Sequence, residues 1–187
     1  ATLANFFING TAGLLIVSLT LMQRGAQFSA MKAGLLTLGF AIAVILFIRV
    51  GEKLLQRYGA KKPIIWGALI ICAAILLLMQ TQIMTGQYVV LAVIAYSLFG
   101  LGLAFFATPA TDAALSNLPE SQAGSGAGIF KMASSLGTSF GVAIAAGIYT
   151  AVVSRTEPIA WLGKLVGFVG RQDNLLVRQG AMLGLGF

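Results

Sequence analysis

Long apolar runs separated by short charged clusters dominate the chain. No charged residue precedes Arg24, none falls between Lys32 and Arg49, and none interrupts positions 63 to 111. A helix needs about 20 apolar residues to cross a bilayer. The first run therefore predicts a spanning helix over about 1 to 22 and the second one over about 33 to 50, with its flanking cations reaching outward to the interface. The 49 residues from Pro63 to Thr111 are too many for one helix. The polar cluster Gln80, Thr81, Gln82, Thr85, Gly86 and Gln87 divides them into helices over about 64 to 80 and 88 to 111. A fifth helix is predicted over about 121 to 153, and a sixth begins near Gln179 and is truncated at Phe187. Between these two, residues 155 to 178 are polar yet carry many apolar side chains. Pro158 suits a first helical position, and Trp161, Leu165, Phe168 and Val169 recur at helical spacing, which reads as a short helix lying in the membrane interface.

Composition narrows the class. Only 9% of the 187 residues are charged and 58% are apolar, against about 25% charged in a soluble domain. The expected fold is an all-α membrane protein, and a soluble enzyme or an extracellular module is excluded. The net charge of +7 would ordinarily suggest nucleic acid, but these cations sit in short connections between apolar runs, so no nucleic-acid partner is expected. There is no histidine, and the single cysteine, Cys72, lies inside an apolar run. No internal disulfide, metal site or cofactor is predicted, Cys72 reads as a small core residue, and no catalytic set is evident. The chain starts at Ala1 and ends in an apolar stretch, as a piece of a longer protein would.

Five cations, Arg49, Lys53, Arg57, Lys61 and Lys62, fall within 14 residues beside one acid, Glu52. Arg24, Lys32, Arg155, Lys164, Arg171 and Arg178 on the opposite side are more numerous but dispersed, and Glu157 and Asp173 offset them in part. Density places the loop at 51 to 63 in the cytoplasm.

That loop also carries a motif. The loop resembles the Gly-x-Leu-x-Asp-Arg-x-Gly-Arg-Lys connection between the second and third helices of each half of major facilitator transporters: Leu54, Arg57, Gly59 and Lys61 match in register, Glu52 stands at the first Gly with Gly51 one place early, and Gln56 replaces the Asp. The order of the other segments agrees. Phe99-Gly-Leu-Gly102, Thr108-Pro-Ala-Thr-Asp112, Leu118-Pro-Glu120 and Leu136-Gly-Thr-Ser-Phe-Gly-Val-Ala143 are similar to the corresponding segments of 14-helix drug/proton antiporters, most of all the staphylococcal Nor-type quinolone pumps. The resemblance covers nearly the whole chain and implies the C-terminal six-helix half of a major facilitator fold, in a multi-pass protein of the bacterial cell membrane. It implies export of hydrophobic or cationic drugs in exchange for protons, by alternating access around a cavity shared with an N-terminal half. It also implies that the basic loop tethers the two halves. An exporter of a metabolite on the same fold, or a non-transporting oligomeric membrane protein, stays open as an alternative.

Several residues are candidates for the site. Asn5 and Asn9 share a face of the first helix and either line a cavity or bond helix to helix. Phe6, Tyr96, Phe99 and Phe130, with Phe105, Phe106 and Phe140, are able to stack on an aromatic cation. Lys131 is the ionisable residue deepest in a span, where an unpaired charge is costly, and its expected partner is Asp112 on the preceding helix; the alternative is that Lys131 snorkels. Ala133, Gly137, Gly141 and Ala145 form a small-residue face that admits a close helix neighbour. The resemblance implies that this face meets the other half of the transporter. No carboxylate lies deep in a span, so the proton-coupling acids are expected in the N-terminal half. The glycine-rich run 124 to 128 lacks the spacing of a dinucleotide loop and is read as packing.

Overall fold

The computed structural model describes residues 1–116, 118–169 and 174–186. Among them, five helical segments are long and apolar enough to cross a membrane: Thr2–Arg24, Ala30–Tyr58, Lys61–Leu78, Thr85–Leu115 and Ser121–Val153. The first consists of α1 (Thr2–Gly10) and α2 (Ala12–Arg24), and the second of α3 (Ala30–Leu36) and α4 (Leu38–Tyr58). Both interruptions have the same chemistry. Thr11 donates its hydroxyl to the Ile8 carbonyl at 2.6 Å and Thr37 donates to Gly34 at 2.7 Å. Back-bonding of this kind competes with the helical ladder and bends a helix where it occurs.

The charged cluster does not end the second span. Charged residues are good helix formers, and α4 runs on through Glu52, Lys53 and Arg57 to Tyr58. It stops at Gly59, whose φ of 70° lies in the left-handed region that glycine adopts freely at a helix C-terminus. Residues 51 to 58 of the supposed loop are therefore helical, and α5 (Lys61–Leu78) starts after a two-residue turn.

Helix α6 (Thr85–Leu115) packs along α4 and α5, while α7 (Glu120–Val153) packs along α1, α2 and the last helix, α9 (Leu175–Leu185). Glycines set the separations. Gly67 of α5 and Gly102 of α6 lie face to face, and a Cβ on Gly67 would approach the Gly102 carbonyl to 2.7 Å. The two groups of helices join in one core that contains Leu14, Val17, Leu21, Tyr88, Ala92, Tyr96, Ala145, Tyr149 and Leu185.

The interfacial segment forms only a short helix, α8 (Ala160–Leu165). It begins two residues after Pro158 and ends before Phe168 and Val169, because Val166 turns extended and the Val169 N–H bonds to the Gln82 carbonyl at 2.8 Å. Residues 170–173 of this segment lie outside the described residues. The last helix starts at Leu175, four residues ahead of the expectation, which brings Arg178 and Gln179 inside it. Cys72 is exposed on α5 and is not a core residue.

Candidate functional site

The contact of α1 and the start of α2 with α7 is built from backbone on backbone. A Cβ on Gly137 would strike the Phe6 carbonyl, one on Gly141 the Gly10 carbonyl, and one on Gly13 the Val142 amide. The small face of α7 is thus occupied by the chain's own first helix. Ala145, farther along the same face, is fully buried in the core against α9, where a Cβ on Gly184 would lie 3.0 Å from the Ala145 carbonyl. This corrects the expectation that Gly137, Gly141 and Ala145 meet the other half of the transporter. Ala133 is half-buried.

Two of the polar candidates brace this contact. Asn5 is buried and donates its amide to the Phe130 carbonyl of α7 at 3.0 Å, while Asn9 donates to the Asn5 carbonyl and to Asn5 Oδ1, both at 2.8 Å. Of the two readings open for this pair, helix-to-helix bonding is the one observed. Phe130 is itself buried against Phe106 and Ala110.

Beside the brace lies a groove of about 420 Å³ lined by Phe6, Phe7, Gly10, Thr11, Leu14, Gly137, Phe140, Gly141 and Ile144, a volume within the usual range for small-molecule sites. It exists because the two glycine pairs draw the backbones together while the aromatic side chains stand to one side. The Phe6 ring lies 6.1 Å from Phe140 and 5.5 Å from Phe7. The wall is apolar apart from the Thr11 hydroxyl, which is already committed to Ile8.

Of the aromatic and polar cavity candidates, Phe6 and Phe140 line this groove. Tyr96 and Phe99 are buried elsewhere. Tyr96 donates to Ser18 at 2.9 Å, Ser18 meets the Tyr88 hydroxyl at 3.2 Å, and Tyr88 donates to the Leu78 carbonyl at 2.9 Å. This buried hydroxyl chain ties α2, α5 and α6 together. Phe99 packs against Phe40 with ring centroids 6.1 Å apart.

The Asp112–Lys131 contact is not formed. Both side chains are exposed and no ion pair joins them among the described residues. The reason is the packing order, since α6 lies mainly on α4 and α5 and α7 on other helices. Lys131 is also 11 residues into α7, roughly 16 Å along its axis, whereas Asp112 is in the last turn of α6. Asp112 lines an open cleft between α4 and α6 with Glu52, Gln56, Thr108 and Thr111. In the basic motif, Gly51 is buried, because a Cβ there would strike the Ala104 carbonyl of α6, while Arg57, Gly59 and Lys61 are exposed and Leu54 is half-buried.

The family model of the Major Facilitator Superfamily matches residues 1–170. The chain belongs to this superfamily. It is 45% identical over 157 residues to the quinolone resistance protein NorB of Staphylococcus aureus (strain MRSA252), and to the same degree to NorB of strains JH9 and N315. These matches cover 84% of the chain and 34% of each relative, so the chain spans about a third of the length of the curated relatives it matches. Membership of the superfamily and several apolar spans make this a multi-pass protein of the bacterial cell membrane.

Sequence reasoning missed Phe7, Gly10, Thr11, Leu14 and Ile144 as groove residues. Gly10 and Gly13 stand out in hindsight, because glycines on two helices that approach closely leave space beside them. The sequence held no signal for which helix would face α7.

Proposed function

We propose that this chain is the C-terminal six-helix half of a proton-coupled drug efflux transporter that exports hydrophobic or cationic aromatic drugs, quinolones among them. The carrying observation is the groove between α1 and α7, read together with the 45% identity to a quinolone resistance protein. Three phenylalanines and two aliphatic side chains on its wall favour an aromatic, largely apolar ligand over a polar metabolite. Ring faces at Phe6 and Phe140 also attract a cationic group. Alternating access then moves the ligand between two faces of a cavity that this half shares with an N-terminal half. The same reading puts the proton-titrating carboxylates in that N-terminal half, since Glu52 lies in the final turns of α4, Asp112 in the last turn of α6 and Glu157 beyond α7, and all three are exposed.

Everted membrane vesicles carrying the full-length protein test this reading. Norfloxacin or ethidium uptake should follow an imposed proton gradient and stop when nigericin collapses it. Phe140→Ala and Phe6→Ala should each lower uptake about tenfold, roughly the value of one lost aromatic contact, while Leu165→Ala, on the exposed side of α8, should leave it unchanged. Gradient-independent uptake would remove the proton coupling, and full activity in both phenylalanine variants would remove the groove.

A further inference from the structure

The basic segment at the α4–α5 turn has a geometry that neither topology nor drug export accounts for. Arg49, Lys53 and Arg57 are spaced four residues apart on α4 and so form one stripe along its final turns. Lys61 and Lys62 open α5 immediately across the Gly59 turn. All five cations are exposed, and none is held in an ion pair with a described residue. The nearby acid, Glu52, lines the cleft with Gln56 and Asp112.

An aromatic pair organises these charges. The Arg57 guanidinium and the Lys62 ammonium each sit 5.3 Å from the centre of the Tyr58 ring. Trp66, one turn beyond Lys62 on α5, meets Tyr58 edge-on at 5.5 Å. Farther down the same helix Leu69 is exposed, and Ile65 is exposed beside Trp66. Along α5 the surface therefore passes from cation to aromatic ring to bare hydrocarbon within about 12 Å, the rise of eight helical residues. That is the polarity profile of one phospholipid seen from its phosphate to its acyl chains, with tryptophan and tyrosine at the headgroup level.

We infer that the Arg57–Tyr58–Lys62–Trp66 corner, with Lys61 beside it, is a binding surface for an anionic phospholipid. Two cations fixed on one ring present a convergent positive site to a lipid phosphate. The charge excess makes the surface selective for a net-negative headgroup over a zwitterionic one, because the latter's own cation is repelled. Each Lys or Arg near an anionic membrane surface contributes about a fivefold preference. Three such factors multiply to about a hundredfold as an upper bound for a whole anionic surface, and a single headgroup, which not all three cations reach equally, should be selected by at least about tenfold. The inference does not depend on which drug is carried or on proton coupling.

The test uses the full-length protein reconstituted in phosphatidylcholine vesicles that contain either brominated phosphatidylglycerol or brominated phosphatidylcholine. Bromine quenches tryptophan on contact, and the difference between the protein and its Trp66→Phe variant isolates the signal of Trp66. Phosphatidylglycerol should be preferred at Trp66 by at least about tenfold, and the triple substitution Arg57→Gln, Lys61→Gln, Lys62→Gln should reduce the preference to below about twofold. The control triple Lys32→Gln, Arg155→Gln, Lys164→Gln, which removes the same charge elsewhere, should keep it. Raising the salt from 0.1 to about 1 M should weaken the preference severalfold without any substitution, since the Debye length falls from about 10 to 3 Å. Equal quenching by the two lipids in the unsubstituted protein would overturn the inference, as would selectivity that survives the triple substitution or the high salt.

Discussion

At the scale of single residues, the closest contacts rest on the absence of a side chain. Gly141 meets the Gly10 carbonyl of α1 with no room for a methyl group, whereas Gly147, six residues along the same helix, has open space where a Cβ would stand. Gly141→Ala should therefore destabilise the folded protein by about 1 to 3 kcal/mol, the usual cost of overpacking. Gly147→Ala should be neutral or stabilise by up to about 1 kcal/mol through helix propensity. Thermal unfolding of the full-length protein in detergent separates the two, and equal melting temperatures would show that α1 and α7 yield freely. Ser18 poses the opposite case, a polar group that two tyrosines share at zero exposure. Ser18→Ala leaves Tyr96 without its acceptor and should cost about 1 to 2 kcal/mol in the same assay, while Tyr88 keeps the Leu78 carbonyl. The glycine spacing on α7 was legible from the sequence as a close-packing face. Its partner was not, because a four-residue repeat says how near a neighbour approaches and nothing about which helix it is.

At the scale of elements, the positions of the spans were legible because charge-free runs of bilayer length have few alternatives in a chain this apolar. Their ends were less so. A charged cluster marks where a helix leaves the hydrocarbon, and α4 continues two turns past that point until Gly59 stops it. The start of α9 was hidden for a related reason: Arg178 reads as a loop cation, yet its guanidinium is buried and donates to the Thr81 carbonyl at 2.7 Å and the Ile83 carbonyl at 3.0 Å. Gln179 acts the same way toward α8. It accepts from the Ile159 N–H at 2.8 Å and donates to the Ile159 carbonyl at 3.2 Å, an amide pairing that ties the interfacial helix to the bundle. Gln179→Leu keeps the volume but removes both bonds; the Ile159 carbonyl keeps the Gly163 N–H at 3.2 Å, while the Ile159 N–H is left buried and unpaired at a cost of about 1 to 3 kcal/mol. Amide hydrogen exchange over 159 to 165 should then accelerate at least about tenfold, with α5 and α6 unchanged as internal references. Unchanged exchange would mean that the apolar contacts of Ile159 and Leu162 alone hold α8 in place.

At the scale of the whole molecule, one end of the bundle is laced by polar contacts between segments far apart in sequence. Asn174 donates to the Gly25 carbonyl at 2.8 Å, Thr81 donates to the Arg178 carbonyl at 2.8 Å, and Val169 bonds to Gln82. The turns after α2, after α5 and before α9 therefore share a face, and the basic α4–α5 turn belongs to the other. This grouping sharpens the charge argument. Arg178 is consumed by carbonyls inside the fold, so it no longer counts among the mobile cations of its side, and the excess at 49 to 62 stands out more clearly against what remains. The positive-inside rule then assigns the α4–α5 turn to the cytoplasm and the laced end to the exterior. In a full-length protein stripped of its other cysteines, Lys61→Cys should react with a membrane-impermeant maleimide in everted vesicles and resist it in intact cells. Glu157→Cys, exposed on the segment before α8, should show the reverse. If both positions label from the same side, the two ends do not lie across a membrane and the grouping itself fails. If both labels exchange sides, the grouping holds and the orientation inverts, which would place the densest cationic surface of the chain outside the cell and leave the dispersed cations, not the cluster, to set the topology.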